Sequence, residues 1–287
     1  MAAVALPTFF FIIFLCHSLC SSSDFESLKH FEGYVKGDHG LLPVKRYLHR
    51  YGYLDTLDLN NDKFDDELES AIITYQLNYH LDTTGILDSD TLSKMMVPRC
   101  GVPDIIKGSN TMKRGTKTFN NSLFSFFFRD RFVKWNTTNL MYVFIDDFPS
   151  EGMDYIEQAF VIWSNKTPFI FSEIDYDYEY HGDIRIGFFW GDHGDGYPFD
   201  GPGGTLAHAF SPGDGRIHFD ADEAWTNGAS PHMHDMVSVS VHEIGHVLGL
   251  GHSSIKDAIM YPTIGENQIK RNLHPDDLAG INALYGS

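Results

Sequence analysis

The feature that most constrains this chain is the run His242-Glu243-Ile244-Gly245-His246-Val247-Leu248-Gly249-Leu250-Gly251-His252. Imidazoles four residues apart lie on one helical face, so His242 and His246 can reach a single ion with Glu243 beside them. Gly249 can leave the helix at positive φ, and the chain then turns to bring His252 round as a third nitrogen ligand. Three protein ligands leave one tetrahedral position open, which is the condition for catalysis rather than scaffolding. Zinc held this way brings the pKa of a water to about 7 and polarises a carbonyl, while Glu243 takes the proton as general base and passes it to a leaving amine. The reaction expected is peptide hydrolysis without a covalent intermediate. Met260, eight residues beyond His252, makes the pattern far more specific than a bare HExxH and disfavours a chance set of surface histidines.

At 287 residues the chain has room for a targeting segment, a small domain and one medium domain. Leu6 to Cys20 is almost wholly apolar, is followed by Ser21, Ser22 and Ser23, and is too short to span a bilayer, so residues 1–22 are expected to be a signal peptide. No second long apolar run and no hydrophobic tail follow, so a soluble mature protein without a membrane anchor is expected. The balance of 21 basic against 39 acidic residues, a formal net charge of −18, argues against nucleic acid or anionic membrane as partner. Cys16 and Cys20 fall in the presumed signal, which leaves Cys100 as a lone thiol in an oxidising compartment and in need of an explanation. Sequons at Asn120, Asn136 and Asn165 are candidates for glycosylation.

Helical patterns at Leu41–Tyr51, Asp65–Leu77 and Asp88–Met95, with Asp65 and Asp88 as N-caps, predict a small three-helix domain over residues 23–106. A polar stretch, residues 107–125, reads as an exposed linker open to proteolysis. The second domain, residues 126–287, is predicted to carry strands at Leu140–Ile145, Phe169–Glu173, Ile184–Phe189, Leu206–Phe210 and Ile217–Phe219. Its helices are expected at Asp154–Asn165, Met236–Leu248 and Pro275–Leu284. The fold class is α+β, with the aromatic run Phe124–Phe128 expected to be buried where the second domain begins.

Between Asp183 and Glu223 the chain is crowded with Gly, Asp and His. His193, Asp195, His208 and His218 offer three nitrogens and a carboxylate, a closed set for a second, structural zinc. Asp200, Asp220 and Glu223, with backbone oxygens of Gly201, Gly203 and Thr205, are candidates for a calcium cage.

The extended histidine motif, Ser253 directly after it and Ala258-Ile259-Met260-Tyr261-Pro262 resemble the matrix metalloproteinases, or matrixins, in the short secreted form found in plants. The resemblance extends over nearly everything from Leu28 to Gly286. It implies a metzincin catalytic domain with a twisted five-stranded mixed sheet and three helices, and a prodomain core similar to peptidoglycan-binding domains. Met260 would lie beneath the zinc, Pro262 to Ile264 would wall the S1′ pocket, which takes the residue after the scissile bond, and Ser238 would lie near its base. Pro98-Arg99-Cys100-Gly101-Val102-Pro103-Asp104 is similar to the family's latency motif, in which Cys100 occupies the open zinc position and Arg99 pairs with Asp104. The order of His193, Asp195, Asp200, His208, His218 and Asp220 also matches the family, implying two zinc ions and at least one calcium. Arg216 stands where a calcium-binding Asp is expected, which argues against a second calcium using Asp183.

The chain is therefore expected to be a monomeric, secreted zinc endopeptidase acting on extracellular proteins or peptides in the extracellular matrix or apoplast, latent until an activating protease removes its propeptide. The alternative is a catalytically inactive zinc-binding interaction module, and Glu243 with every histidine in place disfavours it.

Overall fold

The computed structural model describes residues 28–112, 126, 133–145, 148–175 and 181–286. The expected signal peptide, Asn120 and most of the expected linker lie outside the described residues.

After a single 3-10 turn at Leu28–Phe31, the N-terminal part holds helices α1 (Leu42–Arg50), α2 (Asp66–Asn78) and α3 (Ser89–Met95). Their starts follow from local chemistry. Pro43 pre-sets the first turn of α1, while the side chains of Asp65 and Asp88 accept from Leu68 N and Thr91 N at 2.9 and 2.8 Å, satisfying amides that have no partner within the helix. Leu48, Leu68, Ile72, Tyr75 and Leu92 close a second core, which also takes in Tyr261. The chain leaves it through the strand β1 (Arg99–Cys100) and a small antiparallel pair, β2 (Ile105–Ile106) with β3 (Ser109–Asn110).

The second part is built on strands β4 (Asn139–Phe144), β5 (Ile170–Glu173), β6 (Ile184–Phe189), β7 (Thr205–Ala209) and β8 (Arg216–Asp220). In the sheet β5, β4, β6 and β8 run parallel and β7 runs antiparallel to β8. Helix α4 (Ser150–Ser164) packs on α5 (Met236–Val247), tied by Trp163 Nε1 donating to Val241 O at 2.9 Å, and α6 (Pro275–Tyr285) follows with a capping box from His274 and Asp277. A short parallel pair, β9 (Trp225–Thr226) and β10 (His234–Asp235), leads into α5.

Two differences from the sequence reading have physical reasons. Helix α4 starts at Ser150 rather than Asp154, because its first turn carries exposed Ser150 and Glu151 and so lacks the apolar signal on which periodicity depends. The five expected strands are present, but the sheet has a sixth. β1 runs parallel to β7, with Arg99 N donating to Gly204 O and Gly101 N to Ala207 O, both at 2.7 Å, so the N-terminal part covers an edge that the second domain alone leaves unpaired. Of the aromatic run, the described Phe126 is half-buried and bridges to Leu250.

Candidate metal centre

Helix α5 is buried on all sides, its polar Ser238, Ser240, His242, Glu243 and His246 included, and so runs through the middle of the domain. Its N-terminus is capped by Asp235, which accepts from Ser238 N at 3.1 Å. It ends at Leu248, and Gly249 turns the chain at φ +99°; a Cβ there would meet Val133 O at 2.8 Å, so only glycine fits. That turn brings His252 back beside His242 and His246.

Each imidazole is held by its Nδ1. His242 donates to Ile259 O at 2.7 Å, His246 to Leu250 O at 2.8 Å and His252 to the Asp104 carboxylate at 2.7 Å. The Nε2 lone pairs then face one another, 3.1 Å apart between His242 and His246 and 3.2 Å between His246 and His252. Cys100 Sγ lies 3.4 Å from His246 Nε2, and the four ligand atoms are all within 4.8 Å of one another. Facing lone pairs repel unless a cation sits between them. Protonation is no remedy, since burial and the neighbouring rings hold His242 and His246 well below the ordinary histidine value. Three nitrogens and a sulfur in this cluster suit zinc. Met260 is buried beneath, so close that a Cβ on Gly245 would lie 2.3 Å from its sulfur.

Glu243 is fully buried and neither of its oxygens has a hydrogen-bond partner among the described residues. Burial pushes it up to about 8, partly offset by nearby Cys100, and burial together with Glu243 pushes the Cys100 thiol up. A dication beside them would reverse both shifts.

Arg99 and Asp104 are both fully buried and form a bidentate pair at 2.8 and 3.1 Å. Burial disfavours the charge on Asp104, yet Arg99 and His252 hold its carboxyl well below the usual range. The sequence reading paired these two residues; it missed what surrounds them. Tyr53 and Tyr79 donate to Asp104 at 2.8 and 3.1 Å, and the Arg99 guanidinium lies 3.5 Å from the Tyr51 ring centroid. The tyrosines just past the ends of α1 and α2, Tyr51, Tyr53 and Tyr79, are the one sequence signal that could have pointed to this cage.

His193, Asp195, His208 and His218 come together in a second cluster. Asp195 Oδ2 lies 2.9, 2.7 and 2.8 Å from ring nitrogens of His193, His208 and His218. One carboxylate oxygen cannot satisfy three rings as hydrogen bonds, and His208 Nδ1 is buried without a partner among the described residues, so this donor set also suits a cation. The candidate calcium residues leave Asp200 Oδ2, Asp220 Oδ2 and Glu223 Oε1 buried and unpartnered among the described residues. Burial, then neighbouring carboxylates, pushes Asp220 up to about 7 and Glu223 up to about 8. Asp183 is engaged elsewhere, accepting from Met141 N at 2.9 Å, and Arg216 pairs with Asp214. Asn136 and Asn165 are exposed.

Beside His242 and Glu243 a narrow pocket opens, lined by Leu206, Val239, Tyr261, the segment Pro262 to Ile264, Ser238 and Lys270. Lys270 is a lining residue that sequence reasoning missed, because it reaches the pocket from a loop with no motif. A larger hollow near the opposite sheet edge, lined by Met141, Glu173, Ile174, Asp175 and His181, has none of the ligand set.

Comparison with known proteins adds the following. Residues 134–286 match the family model Matrixin, and residues 41–95 match a putative peptidoglycan binding domain. The chain is 44% identical to Metalloendoproteinase 1 of Glycine max, over 99% of this chain and 96% of the relative. It is 44% identical to Metalloendoproteinase 5-MMP of Arabidopsis thaliana, over 86% of this chain and 71% of the relative. Against human Matrilysin it is 38% identical, over 84% of this chain and 83% of the relative.

Proposed function

The chain belongs to the matrixin family of metalloendopeptidases, and from that membership we propose that it is a secreted zymogen in which Cys100 closes a zinc site made by His242, His246 and His252, with Glu243 as catalytic base. The observation that carries the reading is the convergence of three Nε2 lone pairs and the Cys100 sulfur on one point. Zinc at that point supplies Lewis acidity toward a water and the scissile carbonyl. Glu243 takes a proton from the water as the C–O bond forms, then delivers it to the amine nitrogen as the C–N bond breaks. His242, His246 and His252 are kept as lone-pair donors by their Nδ1 hydrogen bonds.

Latency follows from occupancy. Cys100 fills the fourth position, and β1 takes the hydrogen-bonding edge of β7 that an extended substrate would otherwise use. The domain reading is a signal peptide over 1–22, a prodomain over 23–106, a linker over 107–125 and a catalytic domain over 126–287. An activating protease cutting in the linker would release both plugs. His193, Asp195, His208 and His218 would hold a structural zinc, and Asp200, Asp220 and Glu223, with Gly201, Gly203 and Thr205, a calcium. Extracellular or apoplastic proteins are the proposed substrates, and a monomer is the proposed state.

Hydrolysis of an internally quenched peptide tests this. The intact precursor should be nearly silent and the processed chain active, and Glu243→Ala should cut kcat/KM by about 10²- to 10⁴-fold while zinc is retained. A Cys100→Ser precursor should turn over more than the wild-type precursor without cleavage but less than the processed chain, since β1 still lies on β7. A processed wild-type protein that binds zinc but turns nothing over would favour the inactive binding module instead.

A further inference from the structure

The pocket beside the metal centre has apolar walls and one cation. Ser238 lies on the same face of α5 as His242, four residues or about 6 Å back along the helix from it. Its hydroxyl accepts from Lys270 N at 2.7 Å and donates to the Asp235 carboxylate, itself paired with Arg271, which fixes the Lys270 backbone at that inner end. The Lys270 ammonium donates to Lys256 O at 2.8 Å and lies 5.2 Å from the centroid of Tyr261, a wall of the same pocket. It forms no ion pair among the described residues, and its charge is felt at His242. Burial pushes Lys270 down to about 8, with Asp277 and Asp257 acting against this and Lys94 and Lys256 adding to it. Lys94 belongs to the N-terminal domain; it stands 4.8 Å from the same Tyr261 ring and donates to Thr263 Oγ1 at 3.0 Å, so it leaves when that domain leaves.

A half-buried ammonium with one carbonyl acceptor has donors to spare, and a carboxylate brought into the pocket would regain for it what burial removed. We infer that Lys270 makes this pocket selective for an acidic side chain, so that glutamate is favoured directly after the scissile bond. The two methylenes of glutamate would lie along Leu206 and Val239, and its carboxylate would meet Lys270 beside Ser238. Aspartate lacks the stem to pass those walls. The inference rests on the endopeptidase reading above and deepens it.

The test uses the full chain matured by limited proteolysis and two quenched peptides that differ only in glutamate or leucine after the scissile bond. In Lys270→Met, which keeps the stem and removes the charge, the glutamate-to-leucine ratio of kcat/KM should fall about tenfold or more relative to wild type. Lys270→Arg should restore most of it. Zinc content and thermal midpoint establish that each variant is folded. If Lys270→Met changes both peptides by the same factor, Lys270 merely ties its loop to Lys256 and the inference is overturned while the endopeptidase reading stands. If wild type cleaves neither peptide, the endopeptidase reading falls and the inference with it.

Discussion

At the scale of single residues, Asp104 joins the two halves of the candidate metal centre. Its carboxylate accepts from Arg99, Tyr53, Tyr79 and His252, so a residue of the N-terminal domain orients a candidate metal ligand of the other domain. Asp104→Asn keeps the shape but leaves the buried Arg99 charge uncompensated, at a cost of about 3–5 kcal/mol. The variant precursor should therefore cleave a quenched peptide without processing and melt at lower temperature; a fully latent precursor with an unchanged melting point would refute this role. The pH dependence has the sign of a depressed acid. Stability from Asp104 is present above the unfolded carboxylate value near 4 and is lost only as pH falls through its lower folded value, so acid should loosen this contact late. The pairing of Arg99 with Asp104 was legible by resemblance. The bond to His252 was not, because 148 residues separate the two and only docking of the domains brings them together.

At the scale of elements, α5 and the turn bearing Met260 act as one unit. Gly245 sits between the two histidines, where any Cβ would collide with the Met260 sulfur at 2.3 Å and crowd Trp163 at 3.2 Å. Gly245→Ala should gain a little helix propensity yet lose about 1–3 kcal/mol to overpacking. The expected readout is a lower thermal midpoint together with faster zinc loss to a chelator, because the displaced side chain lies under the candidate ligands. An unchanged midpoint would mean that the turn yields freely. The spacing of the motif showed that a helix was needed, whereas the closeness of helix and turn came only from packing. The same contrast holds for α4, whose buried Ile156, Phe160 and Trp163 were readable as a stripe while its polar first turn was not.

At the scale of the whole molecule, an acidic chain gathers carboxylates where burial makes them costly. Folding raises Asp220 to about 7 and Glu223 to about 8, so in the metal-free protein the folded state binds protons more tightly than the unfolded one. The contribution of these groups is then full below about pH 4 and is lost as pH rises toward the folded values. Calcium needs the ionised forms, so the rise in thermal midpoint on adding calcium to chelator-treated protein should be larger near pH 8 than near pH 5. A calcium effect independent of pH would remove these residues from the cage. The domain interface is the other molecule-wide feature: Arg50 donates to Pro198 O at 2.8 Å and lies 3.8 Å from Asp200, linking α1 to the loop that supplies this carboxylate.

What the residues determine alone is whatever helix and turn geometry can carry over a few positions: the histidine spacing from His242 to His252, the caps at Asp65 and Asp88, and the α+β alternation of strands and helices. Tertiary structure decided what lies between distant segments. It set the Cys100 sulfur 3.4 Å from His246 across 146 residues, laid β1 along β7, closed a tyrosine cage on a buried ion pair and turned Lys270 toward a pocket. Local spacing is dictated by backbone geometry, but these contacts depend on which apolar faces and unpaired edges meet, a property of the packed whole.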